Sequence, residues 1–196
     1  MRYVLMAIED RASNVQYLQR HIPNVEVVWD KTRDLYDTFF RSLEHSNNDP
    51  VIRLQDDVCL TRNFMAKAEA VIAERPDDVI TFFSMSKFDI EIGSRYRPGS
   101  RWMANLCYYL PKNVAAEILV FSKTWSNYDQ HKHGDDQLMR EYFQKVRRKH
   151  WVNIPSLVEH AQIVSAIDKR RSKFRQSKTF IEPELRGYPF ESRQFH

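Results

Sequence analysis

Residues 51–60 read VIRLQDDVCL, an apolar run interrupted by two adjacent carboxylates, Asp56 and Asp57. Like charges that close together repel, and both are costly to remove from water, so a group of opposite sign is expected beside them. Three readings are open. A divalent cation, Mg²⁺ or Mn²⁺, takes oxygen ligands and leaves positions for substrate phosphates. A Lys or Arg side chain neutralises the pair, or water solvates it.

A second cluster is HKHGDDQLM, residues 131–139. His131, His133, Asp135 and Asp136 combine imidazole and carboxylate, which suits a second metal site. They also suit a polar loop that runs into a helix. There one Asp caps the helix and the other is held in place, as a general base must be. The third cluster is NIPSLVEHAQIVSAI, residues 153–167, where His160 stands among apolar residues either as a satisfied core histidine or as a metal ligand. DKRRSKFRQSK then places six Lys and Arg within residues 168–178, a density that fits a diphosphate or a nucleic-acid backbone.

These groups need a scaffold. YVLMAI (Tyr3–Ile8) has strand length and ends at Glu9-Asp10-Arg11; a helix follows from Ser13, a candidate N-cap, to His21. VEVVW (Val25–Trp29) is a second strand ending at Asp30, followed by a helix over Arg33–His45 with Leu35, Phe39 and Leu43 on one face. Val51–Leu54 is the third strand. A helix capped by Thr61 or Asn63 and a fourth strand, Val79–Phe83, complete a β-α-β-α-β-α-β series. Such alternation predicts an α/β fold, a mainly parallel sheet with helices on both faces. Ligands of open α/β sheets bind at the carboxyl ends of strands, where the three polar clusters Glu9–Arg11, Asp30-Lys31 and Gln55–Asp57 all fall.

The remainder is less regular. Residues 86–102 read as a loop or lid, Ala104–Leu110 as a strand, Lys112–Val120 and Asp136–Arg148 as helices, and Trp151–Ile154 and Leu157–His160 as short strands. With 196 residues and 42% apolar composition, one domain with a substantial core is expected. We take residues 1–168 as that domain and 169–196 as a basic segment packing on or closing the site. Only four glycines occur, and neither GxGxxG nor GxxxxGK[ST] is found. Cys59 and Cys107 read as small buried residues of a reducing compartment, and the absence of a leader pattern or long apolar stretch predicts a cytoplasmic protein without membrane partners. Net charge is +4, but residues 1–139 hold 17 basic against 20 acidic side chains, and residues 140–196 hold 13 against 6. An anionic partner or a solvated basic tail accounts for that excess.

The three motifs in order resemble the GT-A family of nucleotide-sugar glycosyltransferases, particularly its small bacterial and phage members. LQDDV at 54–58 matches the place and apolar frame of the family's DxD-type motif, often EDDV. GDDQLM at 134–139 resembles its later acidic-helix motif, and PSLVEHAQIVSAI at 155–167 its P-S-L-V-x-H segment. The resemblance covers roughly residues 1–175 and implies a divalent cation, Mn²⁺ or Mg²⁺, on Asp57 and His160. It implies a nucleotide diphosphate-sugar donor, UDP-sugar foremost, on Ala7, Ile8, Arg11, Asp30, Gln55 and Asp56, with Arg170, Arg171 and Lys173 on its phosphates. Asp136, or Asp135 in its place, would be the base of an inverting transfer. Gln55 departs from the acid common at the first motif position and is a poorer metal ligand.

Glycans are the family's broad acceptor class. Arg95, Arg97 and Arg101, interleaved with Tyr96 and Trp102, favour instead a hydroxymethylated pyrimidine in DNA, as for some small phage enzymes resembling this family. A divalent-metal nuclease or nucleotidyltransferase, and a non-catalytic nucleic-acid-binding domain, are the competing classes.

Overall fold

Strand β1 (Arg2–Ala7) alternates between two cores. Tyr3, Leu5 and Ala7 enter one, and Val4 and Met6 enter the other. A strand buried on both faces has no polar side, which is why it reads as an unbroken apolar run. The computed structural model describes residues 1–46, 48–103, 105–129, 134–161 and 175–189.

After β1, a 3₁₀ turn (Glu9–Arg11) leads straight into helix α1 (Ala12–His21), so Ser13 lies inside the helix rather than capping it. Strand β2 (Val25–Trp29) pairs parallel with β1. Helix α2 (Leu35–Glu44) starts two residues later than expected, because the Asp34 carboxylate accepts hydrogen bonds from the Tyr36 and Asp37 amides. Strand β3 (Val51–Gln55) then pairs parallel with the opposite side of β1. Since the chain steps to one side of β1 and then to the other, α1 and α2 pack on opposite faces. The strand order reverses at the carboxyl ends of β1 and β3, where a ligand crevice is expected.

The chain continues through β4 (Val58–Leu60), α3 (Phe64–Glu74), β5 (Val79–Thr81), α4 (Asp89–Ile92), β6 (Arg95–Pro98) and β7 (Cys107–Leu110). Then come α5 (Val114–Ser122), α6 (Asp135–Lys145), β8 (Lys149–Val152) and β9 (Val158–His160). The result is a single α/β domain whose seven-stranded sheet has the order β2-β1-β3-β7-β5-β8-β6. Strands β2, β1, β3, β5 and β8 run one way. Strand β7 is antiparallel to both β3 and β5, and β6 to β8. One core joins the sheet to α1 and α3, and the other joins it to α2, α5 and α6. Neither Thr61 nor Asn63 caps α3: Asn63 is left-handed (φ 56°) and its side chain makes no cap bond.

The segment expected as a loop, residues 86–102, contains α4, β6 and a 3₁₀ turn at Gly99–Arg101. That turn packs against α6 so closely that a Cβ on Gly99 would lie 2.5 Å from Phe143 Cβ and 2.8 Å from the Arg148 carbonyl oxygen. Strands β4 and β9 form a separate antiparallel ribbon. Residues 175–189 run along β4 and α1: Glu184 N donates to Leu60 O (2.7 Å), and the Tyr188 ring meets Tyr17 edge-on. Cys59 and Cys107 are both buried free thiols. Among the described residues, no helix is long and apolar enough to cross a membrane.

Candidate functional site

Arg11 stands beside the paired carboxylates. The 3₁₀ turn after β1 lays its guanidinium between them, 2.6 Å from Asp56 Oδ1 and 3.0 Å from Asp57 Oδ2. Asp56 also accepts the Ile8 amide at 2.7 Å on Oδ2. Asn14, fully buried on α1, donates to the carbonyls of Asp56 and Val58, which holds the bend between β3 and β4. Burial pushes the Asp56 carboxyl up to about 6, with Arg11 opposing and Asp57 adding to the shift. Burial also works against the Arg11 charge, but Asp57 and Asp56 outweigh it and hold the proton more firmly than usual.

The β4–β9 ribbon brings in His160. Its register sets Val58 opposite His160, and Ala161 N donates to Asp57 O at 2.7 Å. His160 Nε2 thereby lies 3.5 Å from Asp57 Oδ2. The Glu159 carboxylate oxygens fix the neighbouring backbone: Oε1 accepts the His160 amide at 2.7 Å, and both oxygens accept Ser177 N at 3.1 Å. Burial lowers the His160 pKa despite Asp57, favouring the neutral imidazole that a metal ligand requires. Asp57 Oδ1 is buried without a hydrogen-bond partner among the described residues.

That donor set fits a divalent cation. The 3.5 Å between Nε2 and Oδ2 is a span that two ligands of one ion, each at about 2.1 Å, readily cover. Oδ1, the orphaned oxygen, is a further donor. Among the described residues no group of three His, Cys, Asp or Glu converges.

The other residues expected on the donor side lie at the ends of β1, β2 and β3. Asp30 N donates to Ala7 O at 2.7 Å, joining the ends of β2 and β1, and the Asp30 carboxylate accepts the Thr32 and Arg33 amides. Gln55, half-buried at the end of β3, lies opposite Met6, and its backbone N–H donates to Leu106 O at 2.9 Å. Ala7, Ile8, Arg11, Asp30, Gln55, Asp56, Asp57 and His160 therefore gather at one edge. His131, His133, Arg170, Arg171 and Lys173 lie outside the described residues.

The two α6 carboxylates separate by burial. Asp135 is 5% exposed, and burial with the neighbouring Asp136 pushes its carboxyl up to about 6, against Asn105 and Arg53. Arg53 is a charge inside a strand. It is 1% exposed, lies over the Phe39 and Tyr108 rings at 4.5 and 5.2 Å, and donates to Ser42 Oγ. Asp136 is only half-buried and bends back over the helix start, so its Oδ1 would be 2.7 Å from a Cβ on Gly134.

Of the residues expected on the acceptor side, Arg95, Arg97 and Arg101 line one cavity at the end of β5. Trp102 is not with them. Its ring is 1% exposed, packed edge-on against Tyr108, Phe143 and His150, with Nε1 donating to Asn105 Oδ1. An apolar ring beside a core helix gains more from burial than from solvent, and no base can stack on it. The sequence reading missed Asp89, which is fully buried and accepts from Arg95 and Arg97 on Oδ1 at 2.5 and 2.7 Å. The available signal was an acid just ahead of an Arg-x-Arg pair. It also missed His150 and Arg53, although Arg53 showed itself as a lone charge in an apolar strand.

No protein-family model matches the chain, and no curated protein matches it. Among solved structures it is similar to S. aureus TarS 1–349, with a TM-score of 0.51 and 10% identity over 83% of this chain and 61% of that one. The fold is GT-A-like. The chain thus spans about three-fifths of TarS 1–349. It is also similar to A197 from STIV, with a TM-score of 0.46 and 15% identity over 92% of this chain and 96% of that one. A third likeness is to the galactosyltransferase LgtC in complex with donor and acceptor sugar analogs, with a TM-score of 0.43 and 10% identity over 78% and 72% of the two chains.

Proposed function

We propose that this protein transfers a sugar from a nucleotide diphosphate donor, a UDP-sugar foremost, to an acceptor hydroxyl, with inversion. The observation that carries the reading is the meeting of Asp57 and His160 across the β4–β9 ribbon, at the point where the strand order reverses. A metal-dependent donor site needs such a pair, and the three ordered sequence motifs supply its other parts.

In this reading the donor's base and ribose lie on Ala7 and Ile8, with the Asp30 carboxylate and the Gln55 amide within reach of ribose hydroxyls. Asp57 and His160 would hold Mn²⁺ or Mg²⁺, which supplies Lewis-acid stabilisation of the departing diphosphate. Arg11 neutralises Asp56 and holds Asp57 in orientation, while the buried Asp57 Oδ1 has no hydrogen-bond partner among the described residues. Arg170, Arg171 and Lys173 are assigned to the diphosphate by the sequence pattern. Asp136, the more exposed of the α6 carboxylates, takes the acceptor's hydroxyl proton. The freed oxygen bonds the anomeric carbon as the bond from that carbon to the phosphate oxygen breaks, and the nucleoside diphosphate leaves. Asp135, buried against Arg53 and Asn105, positions the start of α6.

For the acceptor we keep a hydroxymethylated pyrimidine in DNA, supported now by the arginines alone and not by Trp102. Thermal-shift titration with Mn²⁺ and UDP tests the donor site: stabilisation is expected, and its loss in Asp57→Asn. Indifference to every nucleotide tried would overturn the reading. Sugar transfer onto hydroxymethylpyrimidine DNA that weakens with salt tests the acceptor; transfer to oligosaccharides alone would exclude DNA.

A further inference from the structure

The cavity at the carboxyl end of β5 measures about 420 Å³, within the range of small-ligand sites. Strand β5 stands two positions from β3 in the sheet, roughly 10 Å at ordinary strand spacing, so the cavity and the Asp57–His160 pair share one edge. Its lining combines apolar side chains, Phe88 and Met103 among them, with Arg95, Arg97, Arg101 and His150. Resting on the glycosyl-transfer reading, we propose that this cavity binds a phosphate group carried by the acceptor.

Charge is the first argument. Asp89 answers Arg95 and Arg97 through a single oxygen, so two guanidiniums share one carboxylate, and Arg101, exposed at the rim, adds a third. The lining is therefore left with an excess of positive charge in a partly enclosed space, where an anion is held more strongly than at an open surface. Guanidinium groups also present forked donors that match phosphate oxygens.

His150 is the second, independent argument. It is 2% exposed and lines the cavity, yet its Nδ1 has no hydrogen-bond partner among the described residues. A buried polar atom left unmade costs free energy that a ligand oxygen at that position recovers. Burial, with Arg97 adding to it, holds the ring's pKa at about 4, so at neutral pH it is an uncharged imidazole with one N–H to give. The Trp102 ring fixes its plane, edge-on at 5.0 Å. Gly99 keeps the arginine-bearing segment pressed onto α6, since any side chain there would meet Phe143 and the Arg148 carbonyl.

A phosphate can arrive on a DNA strand or on a small phosphorylated molecule, and the test separates these. The full-length protein is titrated calorimetrically with phenyl phosphate and, separately, with UDP and Mn²⁺. Phenyl phosphate should bind, and Arg101→Ala should weaken it about tenfold, the size of one charge-assisted hydrogen bond, while UDP affinity is unchanged. The His150 imidazole signals in NMR spectra should shift with phenyl phosphate, a readout that needs no variant. Absence of binding, or binding that neither Arg101→Ala alters nor the His150 signals report, overturns the proposal even if UDP binds. Arg101-dependent phosphate binding without any nucleotide binding would uphold the cavity and remove the transfer reading. Competition by a hydroxymethylcytosine oligonucleotide identifies DNA as the source; binding without that competition identifies a small phosphorylated acceptor.

Discussion

Two charge clusters on the same edge of the sheet are near mirror images. At the ends of β1 and β3, one arginine, Arg11, sits between two carboxylates. Beside β6, one carboxylate, Asp89, sits between two arginines. Among the described residues neither ion-pair group is balanced in itself. The first has one carboxylate more than Arg11 answers and an orphaned carboxylate oxygen, which suits a cation; the second has one arginine more than Asp89 answers and an orphaned imidazole nitrogen, which suits an anion. The lesson is that a buried ion pair need not be read as stabilising glue. A deliberate odd member leaves a charge available for a ligand, while the paired members hold the geometry.

The comparison can be broken from either side, and the largest effect is expected at Arg11. Arg11→Met leaves two buried carboxylates uncompensated and should cost about 3–5 kcal/mol in urea unfolding. Mn²⁺ should restore much of that loss if the cluster is cation-seeking, and indifference to Mn²⁺ would refute that view of it. Next is acid sensitivity of the basic cluster. His150 titrates near 4 when folded and near 6.5 when unfolded, so its contribution is present above pH 6.5 and is lost as pH falls towards 4. Unfolding free energy should drop by about 3 kcal/mol over that window, and His150→Gln should flatten the profile. The smallest effect is expected from Asp89→Asn, at about 2 kcal/mol, because Arg95 and Arg97 keep side-chain exposures of 24% and 18% and can turn to water. Sulfate or phosphate should offset this loss, where Mn²⁺ offsets the loss at Arg11. Rescue of both variants by the same ion would erase the distinction between the clusters.

The first half of the fold could be read from the chain because its strands are doubly buried and its helices lie between clear polar breaks. Direction was harder. CYYL, residues 107–110, is four buried residues long and carries no mark of its antiparallel course, which only its two neighbours in the sheet reveal. In the site, the Asp56-Asp57 pair was visible as charge inside an apolar frame, but its partner was not, since a turn of Glu9–Arg11 decides where Arg11 points. The same limit explains Trp102. Alternating Arg and aromatic residues look alike whether the ring faces solvent or core, and here Gly99 lets the segment press its tryptophan inward. Asp89 went unseen because it sits in a stretch without periodicity, and its role depends on β6 folding back beside it.

The β4–β9 ribbon has a consequence for the order of folding. Asp57 and His160 are separated by about a hundred residues, whereas β1, β2 and β3 close over short crossovers. Closing so long a loop is entropically slow to be repaid, so the parallel unit should organise first and the ribbon last. Refolding followed by tryptophan fluorescence and by Mn²⁺ binding together should then show two phases, with metal affinity emerging in the later one. On the transfer reading, a nascent chain would acquire its scaffold well before it could engage a nucleotide.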